Sequence, residues 1–384
     1  MSYYFKNLEH VYVHWPFCPY KCNFCDFVAI ASHEQFMEKY HAALCHEIKH
    51  FYGNFDTQRP LKTLYIGGGT PSTYPLPLLK EMIDLLKNMI PFDEHTEVTF
   101  EVNPGTVQEN SLATWKSLGI NRLSIGVQSL KDQVLQDLNR HQKKVDVLTL
   151  LDATKNVFDN VSVDFIIGLP GVSVDEWKSM IDDAMHWPIQ HISIYFLMVH
   201  EKTPLYFKVK QQAVVLPPDD QIIDLYEWTV EKLANHGFYR YELSNFAQKG
   251  FESRHNQAYW DRKSYKGFGL GACSFNGHYR YQNNKNLKSY FQAVVDLQGL
   301  VCESEEITLL QVNIEKIMLG IRQAKGVFVQ DILEGLSEEQ RKSFYVKAQW
   351  LEQQGFVEQK NGRLFLTPKG FVVENEVAVN LFPE

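Results

Sequence analysis

The chain has no apolar run approaching the ~20 residues that a membrane-spanning helix needs, so no spanning segment is expected. Its first residues, MSYYFKNLEHVYVHW, have neither the basic start nor the apolar block of a signal peptide, and a cytoplasmic location is predicted. Positive charge is also short: 38 Lys and Arg stand against 46 Asp and Glu, a net charge of -8. That balance argues against a protein built to hold a phosphate backbone, and no nucleic-acid partner is expected. Cysteine is scarce too. Of 6 cysteines, Cys45, Cys273 and Cys302 are scattered, which is not a disulfide framework. There is no internal repeat and no low-complexity segment. What remains, 45% hydrophobic and 22% charged over 384 residues, suits a globular protein with a large core and a second module.

The other three cysteines are concentrated. Val11 to Phe27 reads VYVHWPFCPYKCNFCDF, an apolar strand ending at Pro16, then Cys18, Cys22 and Cys25 in a C-x3-C-x2-C spacing. Three thiolates so close together can close round an iron-sulfur cluster. With no fourth cysteine nearby, one iron of a [4Fe-4S] cube would stay open to a small chelating molecule. Two other readings fit the triplet alone: a zinc site with His14 or a distant residue as fourth ligand, and a redox pair of Cys22 and Cys25.

Beyond the triplet, short apolar runs alternate with amphipathic ones, the pattern of βα units and a parallel sheet. Strands are expected at Val11–Trp15, Thr63–Ile66, Glu97–Val102, Arg122–Val127, Val161–Ile167 and His191–Leu197, too few for a closed eight-stranded barrel. Between them, Ser32 with Gln35 and Ser173 with Glu176 read as capping boxes. Thr203–Asp220, with three prolines, and Asn276–Lys288 read as connections. In such architectures the chemistry sits at the C-terminal ends of the strands. Those ends are Gly67-Gly68-Gly69-Thr70-Pro71, Glu101-Val102-Asn103, Gly126-Val127-Gln128 and a strand carrying Asp164 before Gly168-Leu169-Pro170. The glycines would let backbone N–H groups approach a ligand. Each end taken alone has an ordinary explanation as a βα turn.

Taken together, the triplet with Phe24 before its last cysteine, VYVHWPFC, YIGGGTPS, EVNPG, RLSIGVQS, LNRH, GLPG and HISIY resemble the radical S-adenosylmethionine (radical-SAM) superfamily. They are closest in pattern to its branch of oxygen-independent coproporphyrinogen III oxidases and haem chaperones. The resemblance implies an α/β fold: a partial (β/α)6 radical-SAM barrel followed by a mainly helical, winged-helix-like C-terminal domain. It implies that Cys18, Cys22 and Cys25 hold a [4Fe-4S] cluster. Tyr12 and Phe24 would then flank S-adenosylmethionine, Gly68, Gly69 and Thr70 would meet its aminocarboxylate end, and Glu101, Gln128, Arg140 and Asp164 would complete the pocket. The chemistry suits these roles, since carboxylates accept from hydroxyls or an ammonium and a guanidinium forks onto a carboxylate.

After residue 236 the βα rhythm stops. His255-Asn256-Gln257-Ala258-Tyr259-Trp260 reads as a loop in which His255 could meet a flat apolar ligand, imidazole being a usual axial ligand of haem iron. A histidine satisfied by its neighbours is the plainer reading of the residues alone. The HNxxYW pattern, by resemblance, belongs to haem chaperones. The oxidases carry a fourth cysteine two places after the third, where this chain has Phe27, which weakens that reading. The departure that cuts the other way is Cys273, standing where the glycine-rich phrase usually has His. It reads as a thiol ligand, a replacement haem-pocket contact or, most plainly, a buried inert cysteine. From Glu305, helices followed by a hairpin turning at Asn361-Gly362 suggest the winged-helix-like module, with too thin a basic set for duplex binding.

The division expected is 1–238 for the radical-SAM core, 239–300 for the connecting segment and 301–384 for the C-terminal domain. The expected function is a haem chaperone, more a binding module than a turnover enzyme, that passes haem to haem-dependent proteins, membrane-associated ones included. The competing reading is the oxidase, decarboxylating coproporphyrinogen III in porphyrin biosynthesis.

Overall fold

The structure, a computed structural model, describes residue 5 and residues 7–55, 59–296 and 299–382. Parts of all three expected regions lie outside the described residues: 1–4, 6 and 56–58 of the first, 297–298 of the second and 383–384 of the third.

Strands buried on both faces need apolar residues at nearly every position, and helices on both sides to cover them. Six such strands follow the expected runs to within two residues at either end: β1 (His10–Trp15), β2 (Thr63–Gly68), β3 (Glu97–Val102), β4 (Arg122–Gln128), β5 (Val161–Ile167) and β6 (His191–Phe196). They pair in parallel in chain order. Three short strands extend the sheet: β7 (Tyr239–Arg240), β8 (Asn245–Ala247) and β9 (Lys266–Phe268). The order is β9-β1-β2-β3-β4-β5-β6-β8-β7, with β8 antiparallel to β6 and β9 parallel to β1. Among the described residues no pairing joins β9 to β7, so the sheet is open. The strand β9 escaped the sequence reading because three residues inside a glycine-rich run show no periodicity.

Several local expectations are corrected. Ser32 does not cap a helix. Ile30 and Ala31 are still paired with Phe17 and Cys18, so the chain must turn at Ser32, whose φ is 59°, before a single 3-10 turn leads into the helix Met37–Gly53. The box at Ser173 and Glu176 does form, starting the helix Val174–Ala184. Within Thr203–Asp220 the prolines mark helix starts as well as loops: Pro204 opens Pro204–Lys210 behind the capping Thr203, and Pro218 precedes Asp219–Asn235. Asn276–Lys288 contains Tyr279–Asn283, the middle strand of an antiparallel trio with Cys273–Phe275 and Val301–Glu306. The boundary expected at 300/301 therefore meets the start of a strand that belongs with the preceding segment.

A buried carboxylate clasps that segment to the main body. Glu47, on the helix Met37–Gly53 and 2% exposed, accepts from Asn283 Nδ2 (2.8 Å), Tyr290 OH (2.7 Å) and Gly269 N (3.0 Å), and lies 3.5 Å from Lys266 Nζ. Four partners satisfy the charge in a place where an unpaired one would cost several kcal/mol, of order 3–5. The edge strand β9 is positioned by this contact.

A second hydrophobic core gathers Ile317, Phe344, Leu351, Leu364 and Leu381. Its helices are Leu309–Gly320, Val329–Leu333 and Glu338–Gln353. The hairpin Val357–Lys360 with Arg363–Leu366 turns at Asn361 (φ 51°) and Gly362 (φ 73°), the paired left-handed residues of a tight hairpin, and Val327–Phe328 adds a third strand.

Candidate cluster and cofactor site

Cys18, Cys22 and Cys25 lie on the loop that leaves β1, and all three line one cavity of about 370 Å³, within the ~300–1,000 Å³ range of ligand pockets. All three thiols are free. The loop is pinned from outside. Asn23 N donates to Leu138 O (2.8 Å), Asn23 Nδ2 to Asp137 O (3.0 Å) and Asn139 Nδ2 to Lys21 O (2.9 Å), which gives the LNRH phrase a structural task. Its far end is held by His14 Nε2 on Val28 O (2.8 Å). Two donors address the sulfurs directly: Thr70 Oγ1 on Cys18 Sγ (3.2 Å) and Arg140 Nη1 on Cys22 Sγ (3.9 Å). Without a metal, burial pushes the Cys18 thiol up to about 11 and raises that of Cys25. Three thiols held against one pocket, with donors aimed at sulfur, fit an iron-sulfur cluster, since coordination removes the protons that burial retains.

Phe24, Gly68, Gly69, Thr70, Glu101, Gln128, Arg140 and Asp164 line the same cavity. The glycines do so for a different reason from the one expected. Gly68 N donates to Glu101 Oε2 (3.0 Å), Gly69 N to Trp15 O (2.7 Å) and Thr70 N to Phe17 O (2.9 Å), so these N–H groups are used within the protein. A Cβ at Gly69 would stand 2.5 Å from Pro16 O; the missing side chain admits the chain that carries the cysteines.

The strand β4 is interrupted by a register shift between Gly126 and Gln128, which leaves Gln128 at φ 63°. Such bulges re-aim a side chain, and backbone strain of this kind costs of order 1–3 kcal/mol. A Cβ on Gly126 would come within 2.9 Å of Arg140 Nη2, so the glycine makes room for the guanidinium, which also bonds Gln142 Oε1 at 3.1 Å.

Two buried carboxylates face the pocket, neither of them in an ion pair among the described residues, although the Arg122 and Arg140 guanidinium groups act on Asp164 from a distance. Glu101 accepts from Tyr65 OH (2.9 Å) and Gly68 N, yet burial pushes it up to about 7. Asp164 takes a bond from Ser124 Oγ (3.0 Å) and is raised by burial as well, while its Oδ1 is buried with no partner. An orphaned buried acceptor is costly, about 1–3 kcal/mol, and a ligand bringing hydroxyl or ammonium donors would offset it. Sequence reasoning missed Tyr65, Ser124 and the exposed apolar rim of Phe27 (69%) and Met198 (65%). The apolar residues continuing past the end of β6 were the available signal for Met198.

Two expected residues are not on this wall. Tyr12 lines a neighbouring cavity instead, with its OH 3.0 Å from His14 Nδ1. His255 lines neither, and it is not on a loop. It sits in the helix Arg254–Trp260, 1% exposed, with Nδ1 2.6 Å from Thr63 Oγ1 and Nε2 2.9 Å from Tyr259 OH. Burial holds it well below the ordinary histidine range, hence neutral. The helix is seated on β3 by Glu97, which accepts from Arg254 N and His255 N (3.1 Å each). The His255 ring lies 5.1 Å from that of Tyr65, which links the helix to Glu101.

Residues 12–184 match the family model of the radical SAM superfamily, and residues 309–373 that of the HemN C-terminal domain. The heme chaperone HemW of Bacillus subtilis is 32% identical over 372 residues, covering 96% of this chain and 98% of that protein. The chain belongs to the HemW family of the radical-SAM superfamily. A second HemW, from Synechocystis, is 33% identical over 326 residues, 82% of this chain and 78% of its own. In fold, the coproporphyrinogen III oxidase HemN from Escherichia coli superposes with a TM-score of 0.86 over 99% of this chain and 91% of its own, at 23% identity. The HemW family, as radical-SAM proteins, implies a [4Fe-4S] cluster and S-adenosylmethionine. Among the described residues no helix is long and apolar enough to cross a membrane.

Proposed function

We propose that this protein is a cytoplasmic haem chaperone that binds a [4Fe-4S] cluster, S-adenosylmethionine and haem, and passes haem to haem-dependent proteins, respiratory ones included. The observation that carries the reading is the 32% identity, over 96% of this chain and 98% of the other, to the heme chaperone HemW of Bacillus subtilis. Phe27 in place of a fourth cysteine supports it against the oxidase reading.

In this reading Cys18, Cys22 and Cys25 hold the cluster, which supplies an iron with a free position for the amino and carboxylate groups of S-adenosylmethionine. Thr70 and Arg140 stabilise the sulfurs of Cys18 and Cys22 by hydrogen bonding. Glu101 and Asp164 would accept from the N–H groups of the amino group and from the hydroxyls of the cofactor, Gln128 would bond its polar edge, and Phe24 would pack on its apolar part. A delivery protein holds its cargo through few, exchangeable contacts, so that a recipient offering more coordination can take it.

The test is anaerobic loading with haem, followed by mixing with a haem-free b-type cytochrome. Haem should leave the loaded protein and the recipient's spectrum should appear, while each of Cys18→Ala, Cys22→Ala and Cys25→Ala should bleach the iron-sulfur absorption. Absence of haem binding would remove the proposal. So would conversion of coproporphyrinogen III to protoporphyrinogen in the presence of reductant and S-adenosylmethionine.

A further inference from the structure

A second cavity, of about 620 Å³, lies against the other side of the cysteine loop and shares Asp26 and Phe27 with the first. The connecting segment forms most of its wall: Tyr259 and Tyr265, which meet edge to face at 4.6 Å, with Phe275 beyond them. Tyr259 is the tyrosine of the HNxxYW phrase, and His255, bonded to its hydroxyl from behind, positions that wall without reaching the cavity.

The charge on this wall runs against that of the molecule. Arg262, Lys263, Arg280 and Lys285 line it, opposed by Asp26 and Glu315 alone, on a chain of net charge -8. Glu315 is already engaged by both arginines, at 2.7 and 2.6 Å. Lys263 and Lys285 are exposed, Lys285 being only loosely paired with Glu303 at 3.7 Å. The site thus offers aromatic faces and surplus positive charge, the complement of a flat apolar ligand with carboxylates. Cys273, a free and half-buried thiol, also faces it, and a thiolate is one of the ordinary axial ligands of haem iron.

Resting on the haem-chaperone reading, we infer that this cavity, and not the surroundings of His255, receives the cargo: an iron tetrapyrrole whose iron is ligated by Cys273 Sγ and whose carboxylates are met by Lys263 and Lys285. The exposed ring of Phe27 then forms the partition between cargo and cluster. Tyr259 contributes surface, and the HNxxYW helix acts as the scaffold of the wall.

The experiment is haem titration of the full-length protein, with carbon monoxide added to the reduced complex to report the ligand by its Soret band. The wild type should show the red-shifted band of thiolate ligation, and Cys273→Ser should lose it while keeping its melting temperature. The double variant Lys263→Glu, Lys285→Glu should bind haem about tenfold more weakly, yet bind haem dimethyl ester, whose carboxylates are blocked, as the wild type does. Wild-type protein that binds no haem would overturn both this site and the function it rests on. Haem binding unchanged by Cys273→Ser and by the lysine reversals, but lost in His255→Ala of unchanged melting temperature, would overturn the cavity alone and leave the chaperone reading standing.

Discussion

Glu101 faces the cavity lined by the cysteine triplet, and burial there pushes it up to about 7, against an ordinary 4.5, outweighing the bonds from Tyr65 and Gly68. An acid whose folded pKa stands above its unfolded value loses stability as pH rises from the unfolded value through the folded one. Replacing it with Gln removes that loss. The Glu101→Gln protein, free of cluster and cofactor, should therefore gain on the wild type by about 2–3 kcal/mol between pH 4.5 and 8, read from urea unfolding at each pH. The difference between the two proteins is the informative quantity. His10 and His14, held neutral by burial with values near 4, destabilise both proteins alike as pH falls below 6.5. A difference that stays flat with pH would mean that Glu101 is already ionised in the folded chain. The identity of Glu101 as a strand-end carboxylate was legible in the sequence. Its bond to Gly68 was not, because that bond spans two strands.

At the scale of elements, seven residues are too few for a helix to stand by itself in water, since nucleation is unfavourable and short helices depend on tertiary contacts. Arg254–Trp260 persists because Ser253 caps Asn256 N from within and Glu97 caps the first turn from β3, a carboxylate at the positive end of a helix. Glu97→Ala should leave the buried His255 N–H without a partner, the Arg254 N–H being nearer to water, and cost about 1–3 kcal/mol, measured by chemical denaturation. Since the helix carries Tyr259, haem affinity should fall with it, while the absorption of a reconstituted cluster stays. Loss of the cluster in that variant would mean that the helix supports the cysteine loop as well. The βα strands themselves were readable in advance because their burial on both faces leaves a continuous apolar run, whereas β9 and Tyr279–Asn283 are short or polar and take their place from neighbours.

For the molecule as a whole, the C-terminal hydrophobic core is joined to the connecting segment by polar contacts and by packing, with Leu243 against that core and Arg240 over the Phe371 ring. Glu315, on the first helix of the C-terminal core, holds Arg262 and Arg280 of the connecting segment, and its side chain is only 14% exposed. Nearby, Lys325 pairs with Asp261 at 2.7 Å and Gln323 Nε2 donates to Trp260 O at 3.2 Å. Deleting the shared partner of two partly buried cations leaves them less well compensated and costs less than the ~3–5 kcal/mol of a fully buried pair. Glu315→Ala should therefore loosen the junction before either core melts. Calorimetry is expected to resolve two thermal transitions in the variant where the wild type gives one. A single transition displaced to lower temperature would show that the two cores unfold as one unit regardless of this contact.

The amino-acid sequence by itself determined the six parallel strands, the hairpin at Asn361-Gly362, the cysteine triplet and the polar strand ends that line its cavity. Each of these follows from local rules: apolar runs for buried strands, left-handed residues for a tight turn, ligand spacing along one loop. Only the tertiary structure decided that Tyr12 faces a different cavity, that His255 is a buried support, and that Cys273 looks into a space lined by cations. Those outcomes depend on partners far apart in the chain, such as Thr63 with His255 across 192 residues. No periodicity within a segment can carry which groups will meet there when the sheet and the connecting segment pack.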